Sequence, residues 1–419
     1  MTSKSRPRLA TMAWRNIWRN RRRTLITVFG IVFGVFMAVL FTGIGDATYS
    51  QMIDHAARLG GGHVVVQHRE YQDLPTVEHT VTDAPAVEAA AARLPEVVAT
   101  TTRITGAAML ATASNSQGTF FIAFDPARET HETFGLLDAE WEGEPLRAAD
   151  QPRAVVLGKV LADNLGAKLG SKVVYTMTDR QGEIVSGLAR VVGLVKTGAP
   201  SVDAGLCLLP IDVVRQQLGY ADDEATMVAV FLRDHRDAVA VAAALDEQAP
   251  EPAVALTWAD AQPDLAAFIA AKQGGARFFE VIIMVLLAAG IFNTLFVSVM
   301  ERLRELGIMA AIGFSPRQLF GLVMWESTWL ALVGLLGSVL VIAGPYGYLA
   351  TKGIDYSAML GSGGAEVAGV AMAPILYVRI YPESALAIAG VVLLATLVSG
   401  LYPAWRAGRV DPAETVRLV

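Results

Sequence analysis

The chain has 419 residues, 53% of them hydrophobic and 18% charged, and a formal net charge of −6. It is more apolar than an average soluble domain and too polar for an all-membrane bundle, so it reads as membrane spans plus a sizeable water-exposed domain, and intrinsic disorder is excluded. Cys207 is the single cysteine, which excludes a disulfide scaffold within the chain, and the acidic balance gives no reason to expect nucleic acid as a partner.

Residues 1–23 form a basic start holding Lys4, Arg6, Arg8, Arg15, Arg19, Arg21, Arg22 and Arg23, with no acid. Trp14, Ile17 and Trp18 recur at i, i+3, i+4, with arginines on another face. Two readings stand: an amphipathic helix in the inner headgroup layer of a lipid bilayer, with Trp14 and Trp18 as interface anchors, or topogenic charge beside interfacial tryptophans. Residues 24–45 are an uncharged run long enough to cross the hydrocarbon core, and Gly30 and Gly34 give it a G-x-x-x-G packing face. A cleaved signal peptide is the rival reading of this run, but the apolar stretch is too long for one and no convincing cleavage site follows.

Residues 46–276 hold 31 acids against 17 bases. Here β-branched runs (63–67, 154–157, 172–177, 189–195) mix with Ala-rich helical stretches (84–93, 238–248), and Arg180–Gly182 separates two strand-like runs as a hairpin turn would. The expected class is α+β, with an inserted subdomain near 113–200. A second span follows at 277–300, then a charged connector at 301–317, a third span at 318–343, a loop at 344–383, a fourth span at 384–402 and a tail at 403–419. Val367–Val378 is apolar but short and interrupted by Pro374, so it reads as a buried or interfacial segment. The basic segments all fall on one side of an even span count, which predicts cytoplasmic termini and an extracytoplasmic acidic block. The fold class is therefore an α-helical membrane protein with four transmembrane helices and a large α+β extracytoplasmic domain between spans one and two. Glu280 and Glu326 lie inside spans but near their ends. They read as snorkelling or helix-pairing acids, with a proton or substrate path as the alternative.

Catalytic patterns fail. Gly166–Lys172 has neither the spacing nor the adjoining Gly-Lys of a phosphate-binding loop, His131-Glu132 lacks the second histidine of a zinc helix, and no G-x-S-x-G elbow occurs. His63 and His68 point to opposite faces of a strand. The chain reads as non-catalytic, with no cofactor or metal of its own, and Cys207 as an unreactive thiol.

Two segments are specific: Met300–Pro316 (MERLRELGIMAAIGFSP) and Ser399–Val419 (SGLYPAWRAGRVDPAETVRLV). With the order of basic start, span, large domain and three spans, they resemble the FtsX-like permease family, the membrane subunits of MacB/LolCDE-type (type VII) ABC transporters. Val191–Gly219, and a length without a fused nucleotide-binding domain, look closer to its lipoprotein-releasing LolC/LolE branch. From the residues alone, Glu301, Arg302, Arg304 and Glu305 form a charged tip backed by the small residues Gly307, Ala310 and Gly313, suited either to docking in a groove or to a solvated loop. The resemblance implies that this is the coupling helix seated on a separate ATPase. Tyr402, Trp405 and Arg406 read equally as an interface anchor or an ATPase contact.

The resemblance further implies localisation in the bacterial inner membrane and a partner ATPase dimer that carries ATP and Mg. It implies a second permease copy, identical or not, and a periplasmic lipoprotein carrier or adaptor. The expected function is release of lipoproteins towards the outer membrane by conformational change transmitted from the ATPase. The alternatives are tripartite export of a peptide, toxin or macrolide-like molecule, and FtsX-type signalling to a cell-wall hydrolase. The hairpin Thr178–Val185 lacks the proline of the carrier-recruiting hairpin in that branch, which puts recruitment at this site in doubt.

Overall fold

The computed structural model describes residues 9–146, 153–360, 366–367, 369–371 and 374–410. Lys4, Arg6 and Arg8 of the basic start, Arg417 of the tail, and part of the 113–200 segment lie outside them. In chain order the helices are α1 (Leu9–Arg19), α2 (Arg21–Leu59), α3 (Ala84–Ala91), α4 (Lys159–Leu165), α5 (Pro200–Asp203), α6 (Ile211–Leu218), α7 (Ala238–Asp246), α8 (Trp258–Ala261), α9 (Pro263–Glu301), α10 (Leu303–Ala311), α11 (Pro316–Thr351), α12 (Ser357–Leu360) and α13 (Pro382–Gly408). The strands are β1 (Val64–His68), β2 (Val97–Ala111), β3 (Ser116–Phe124), β4 (Glu140–Gly143), β5 (Ala154–Gly158), β6 (Lys172–Thr178), β7 (Ile184–Lys196), β8 (Leu206–Pro210), β9 (Met227–Leu232) and β10 (Ala253–Thr257), followed by the two-residue strands β11 (Ile354–Asp355), β12 (Glu366–Val367), β13 (Val370–Ala371) and β14 (Ile375–Leu376). The chain divides into a helical unit (1–48, 271–354, 375–419) and a sheet unit (49–270, 355–374).

In the helical unit, α2, α9, α11 and α13 are each long and apolar enough to cross a membrane. Their apolar runs were visible in the sequence, but each helix overruns its run. α2 continues through Asp46 to Leu59, and α9 begins at Pro263, ahead of Gly274–Gly275. α11 passes Pro345 to reach Thr351, and α13 passes Pro403 to reach Gly408. Hydropathy marks where a helix becomes polar, whereas the helix ends only at a residue that breaks the backbone pattern. The helices share a core of Ile17, Ile31, Val35, Met284, Ile291, Leu295, Leu330, Ile388 and Val392. The closest approaches are at α11. A Cβ on Gly334 would fall 2.6 Å from the Ile31 side chain of α2, and one on Gly400 of α13 would collide with the Ser327 hydroxyl. Of the G-x-x-x-G pair, Gly34 faces Leu287 of α9, while a Cβ on Gly30 would meet open space.

The sheet unit is built on β2, whose fifteen residues exceed any one partner. Its first half (97–103) pairs with β9, continuing the antiparallel order β10-β1-β9-β2. α3 and α7 cover this layer through Val87, Ala91, Val241 and Leu245. Its second half pairs with β3 on one edge and β6 on the other. From β3 the hydrogen bonding runs to β8, β5, β7 and β6, and so back to β2. Six strands therefore close into a ring. Alternation fills it: Val173, Tyr175, Met177, Ala189 and Val191 point inward with Leu110 and Phe121. Tyr175 lies directly across from Gly187, where any Cβ would strike the ring of the tyrosine. The ring takes in the end of β2 and all of β8, both beyond the 113–200 segment.

At the start of the 367–378 region, Glu366–Val367 and Val370–Ala371 pair antiparallel. This pair belongs to the sheet unit, where Val370 packs with Met52, Ile53, Ala56, Leu265 and Ile269. The Glu366 carboxylate accepts the Ser201 N–H at 3.1 Å.

Candidate functional site

The functional residues singled out from sequence gather in the helical unit, where α9 ends and α11 begins. Arg302 leaves helical geometry (φ −106°, ψ 10°), so α10 is a separate short helix. Gly313 closes it with φ +107°, a conformation that side chains with a Cβ disfavour. Ser315 and Gln318 then cap α11 reciprocally, with Pro316 at the first position. The inner side of α10 supplies Leu303, Leu306, Met309 and Ala310 to a cluster with Val299, Leu319, Val323, Ala404 and Ala407. Gly307 is buried, whereas Arg304, Ile308, Ala311, Ile312 and Gly313 are exposed. Ile308 is 45% and Ile312 76% accessible. Arg304, Ile308, Ala311 and Ile312 follow i, i+4, i+7, i+8, one face of a helix.

The acids of this segment are engaged by α1 and the start of α2. Arg19 pairs with Glu305 and Arg23 with Glu301. Arg302 turns inward. Its Nη1 donates to both oxygens of Glu326 (3.0 and 3.3 Å), and its Nε donates to Glu305 at 3.2 Å. Asn16 Nδ2 donates to Glu326 Oε1 at 2.8 Å. Glu326 is 8% and Arg302 17% exposed at the side chain. The hydrogen bond from Arg19, joined by Arg302, holds the Glu305 carboxyl below the usual carboxylate range. Burial works against the Arg302 charge, but Glu326 and Glu305 outweigh it and the guanidinium is pushed up. A cavity of about 40 Å³ beside these groups is lined by Asn16, Asn20, Thr24, Thr294, Ser298 and Arg302 among others.

α1 lies against protein. Ala13 and Ile17 are buried, Trp329 Nε1 donates to the Ala10 carbonyl at 3.0 Å, and Trp14 meets Trp329 edge-on with centroids 5.1 Å apart. Trp14 and Trp18 each remain 37% exposed. At the end of α13, Tyr402 packs near Phe292 and Phe296, and the Arg409 guanidinium lies 4.3 Å from the Trp405 ring. Arg406 is exposed, as are Tyr402 and Trp405. Glu280 is half-buried on α9, apart from this cluster.

The sheet unit holds polar groups that the sequence did not signal. Arg103, in the middle of β2, is fully buried. It donates to Glu129 (2.8 and 3.0 Å), to the Thr133 carbonyl (2.8 Å) and to the Gly60 carbonyl, and lies between the rings of Phe134 and Phe231. Its one visible trace was a single charge within an otherwise uncharged strand. His68, Glu70 and His79 come together at an exposed turn with the imidazoles stacked at 4.4 Å. One ligand atom from each of the three lies within 4.8 Å of the others, and His68 Nδ1 accepts the Glu70 N–H at 3.1 Å. Cys207 is fully buried in strand β8. The β6–β7 hairpin tip is fastened: Arg180 donates to Glu224 at 2.6 Å and to Thr80 at 3.1 Å.

Comparison with known proteins agrees with both units. Residues 24–248 match the model of the MacB-like periplasmic core domain, and 277–412 match the FtsX-like permease C-terminal model. The pyoverdine export ATP-binding/permease protein PvdT of Pseudomonas entomophila is 23% identical over 96% of this chain and 58% of its own length. The lipoprotein-releasing system transmembrane protein LolC of Neisseria meningitidis is 28% identical over 63% of this chain and 64% of its own. An ABC transporter permease of Methanocaldococcus jannaschii is 24% identical over 98% of this chain and 97% of its own. The chain thus spans less than two thirds of the length of PvdT and LolC that it matches. With a MacB-like core domain followed by an FtsX-like permease region, it belongs to the FtsX-like permease family, the membrane subunits of MacB/LolC-type ABC transporters.

Proposed function

We propose that this chain is a non-catalytic permease subunit that receives the nucleotide cycle of a separate cytoplasmic ATPase and converts it into movement of an extracytoplasmic sheet unit. It would act in the bacterial inner membrane, with both termini in the cytoplasm and two permease copies, identical or different, over an ATPase dimer that binds ATP and Mg. The single observation that carries this is α10: a discrete helix between two backbone breaks, its inner face packed on α11 and α13 and its outer face bearing Arg304, Ile308, Ala311 and Ile312. An exposed apolar stripe edged by arginine suits an apolar groove with an acidic rim. Glu301 and Glu305 are paired inside the chain. Arg304 and the two isoleucines are therefore the docking groups in this reading, with the acids serving to hold the helix.

The cargo reading is release of lipoproteins from the membrane to a periplasmic carrier. PvdT, an export protein by name, matches nearly the whole chain and keeps a second reading open: tripartite export of a small molecule or peptide through a periplasmic adaptor. The fastened β6–β7 tip gives no support to carrier recruitment at that hairpin. Co-purification of the full chain with its ATPase tests the coupling. I312D and R304E are expected to abolish association while the permease still inserts and folds, and retained association would refute α10 as the docking element. Reconstitution with a lipidated substrate then tests cargo. ATP-dependent release supports the first reading, and hydrolysis without release refutes it.

A further inference from the structure

Glu326 lies roughly 15 Å along α11 from its start, at 1.5 Å per residue, yet it is a buried carboxylate. Its oxygens are reached by two other helices, Asn16 of α1 and Arg302 at the entry to α10. Around this junction Arg19–Glu305 ties α1 to α10 at the surface, and Arg23–Glu301 ties α2 to α9. The two sets differ physically. Exposed pairs weaken with salt, whereas a buried charge-assisted junction is screened little and leaves a guanidinium without its partner if the carboxylate is lost.

We infer that Glu326 is a positioning residue that locks α1 and α10 into one block, so that a load applied to α10 reaches the start of α2. The inference rests on α10 being the docking element. It assigns to α1 a task that neither a lipid-lying helix nor a topogenic signal performs: α1 is the second half of the bearing. Glu326 touches no cargo or nucleotide in this role. It fixes the helix that Arg304, Ile308 and Ile312 decorate.

The test uses the full chain in lipid nanodiscs, with spin labels on cysteines replacing Arg15 of α1 and Ile308 of α10, both exposed, in a C207S background. Pulsed dipolar spectroscopy reads the distance distribution at low and high salt without ATPase. With Glu326 present the distribution is expected to be narrow at both. In E326A it should broaden, most at high salt, as the locked population falls about tenfold or more. The double variant R302L/E326L has no orphaned cation, so it controls for misfolding and should be broad as well. An unchanged distribution in E326A, or a narrow one in the double variant, overturns the inference. Adding ATPase and ATP separates the two layers. With Ile308 left unlabelled in this arm because it is a docking group, an E326A chain that binds ATPase normally but stimulates its ATP hydrolysis less than the unmodified chain supports the bearing. An unmodified chain that binds no ATPase overturns the docking reading and leaves the lock measured without ATPase intact.

Discussion

Replacing Arg103 with methionine would remove a fully buried charge that connects three distant segments of the sheet unit. Its guanidinium holds both oxygens of Glu129, itself 2% exposed, and the carbonyls of Thr133 and Gly60, between two phenyl rings. In R103M the Glu129 carboxylate stays buried with the Thr133 hydroxyl at 2.6 Å as its remaining side-chain partner. Breaking a buried pair from one side costs about 3–5 kcal/mol, because the orphaned charge is left in a low dielectric. The loss should appear locally as opening of the segments that Arg103 joins. Hydrogen exchange of the full-length protein, followed by mass spectrometry, should speed up by about a hundredfold or more, since each 1.4 kcal/mol is a factor of ten. Peptides covering 60–68 and 129–136 should respond, and those of α13 should not. In R103M/E129L no charge is stranded, and most of the protection should return. An increase below tenfold in R103M, or a double variant as open as the single, would refute the reasoning.

Gly334→Leu should destabilise the helical unit by about 1–3 kcal/mol through overpacking against Ile31, whereas Gly30→Ala should leave it unchanged; thermal melting in nanodiscs distinguishes them. Burial pushes the Cys207 thiol up to about 12, so maleimide at neutral pH should leave it unmodified until denaturant is added. Arg180→Ala should free the β6–β7 tip at a cost of about 1 kcal/mol or less, because the pair is partly exposed. Limited proteolysis between Asp179 and Glu183 should then quicken, and an unchanged cleavage pattern would show that Arg180 does not hold it.

The long apolar helices were legible because an apolar stretch of membrane length is a local property. Their ends were not, since helicity persists through Asp46 and through Gly274–Gly275 where hydropathy fails. Of the sheet unit, β1, β5, β6 and β7 and both Ala-rich helices followed from β-branched runs and composition, whereas β2, β3, β4, β8, β9 and β10 were not marked. Nor was the closure through β2, because one strand exchanging partners halfway along its edge leaves no trace in its own periodicity. At the candidate site, α10 was marked by its charges and small residues, but those charges point to different ends: Arg304 outward, Arg302 inward to Glu326, and Glu305 to Arg19 and Arg302 at the surface. Nothing local distinguishes them. What decides is Glu326, twenty-four residues on, and Asn16, whose short amide resembled any polar residue on an amphipathic helix.

The six-strand ring has a mechanical corollary. An open sheet tolerates sliding of one strand past its neighbour, since only two ladders must re-form. In a closed circuit a slip at any seam must be matched at every other, so shear is fixed once the circuit forms. This lobe should therefore turn or translate as an undeformed piece. Its outward face carries the exposed apolar side chains Met109, Phe120, Val174 and Leu188, which are the groups it presents to anything that engages it.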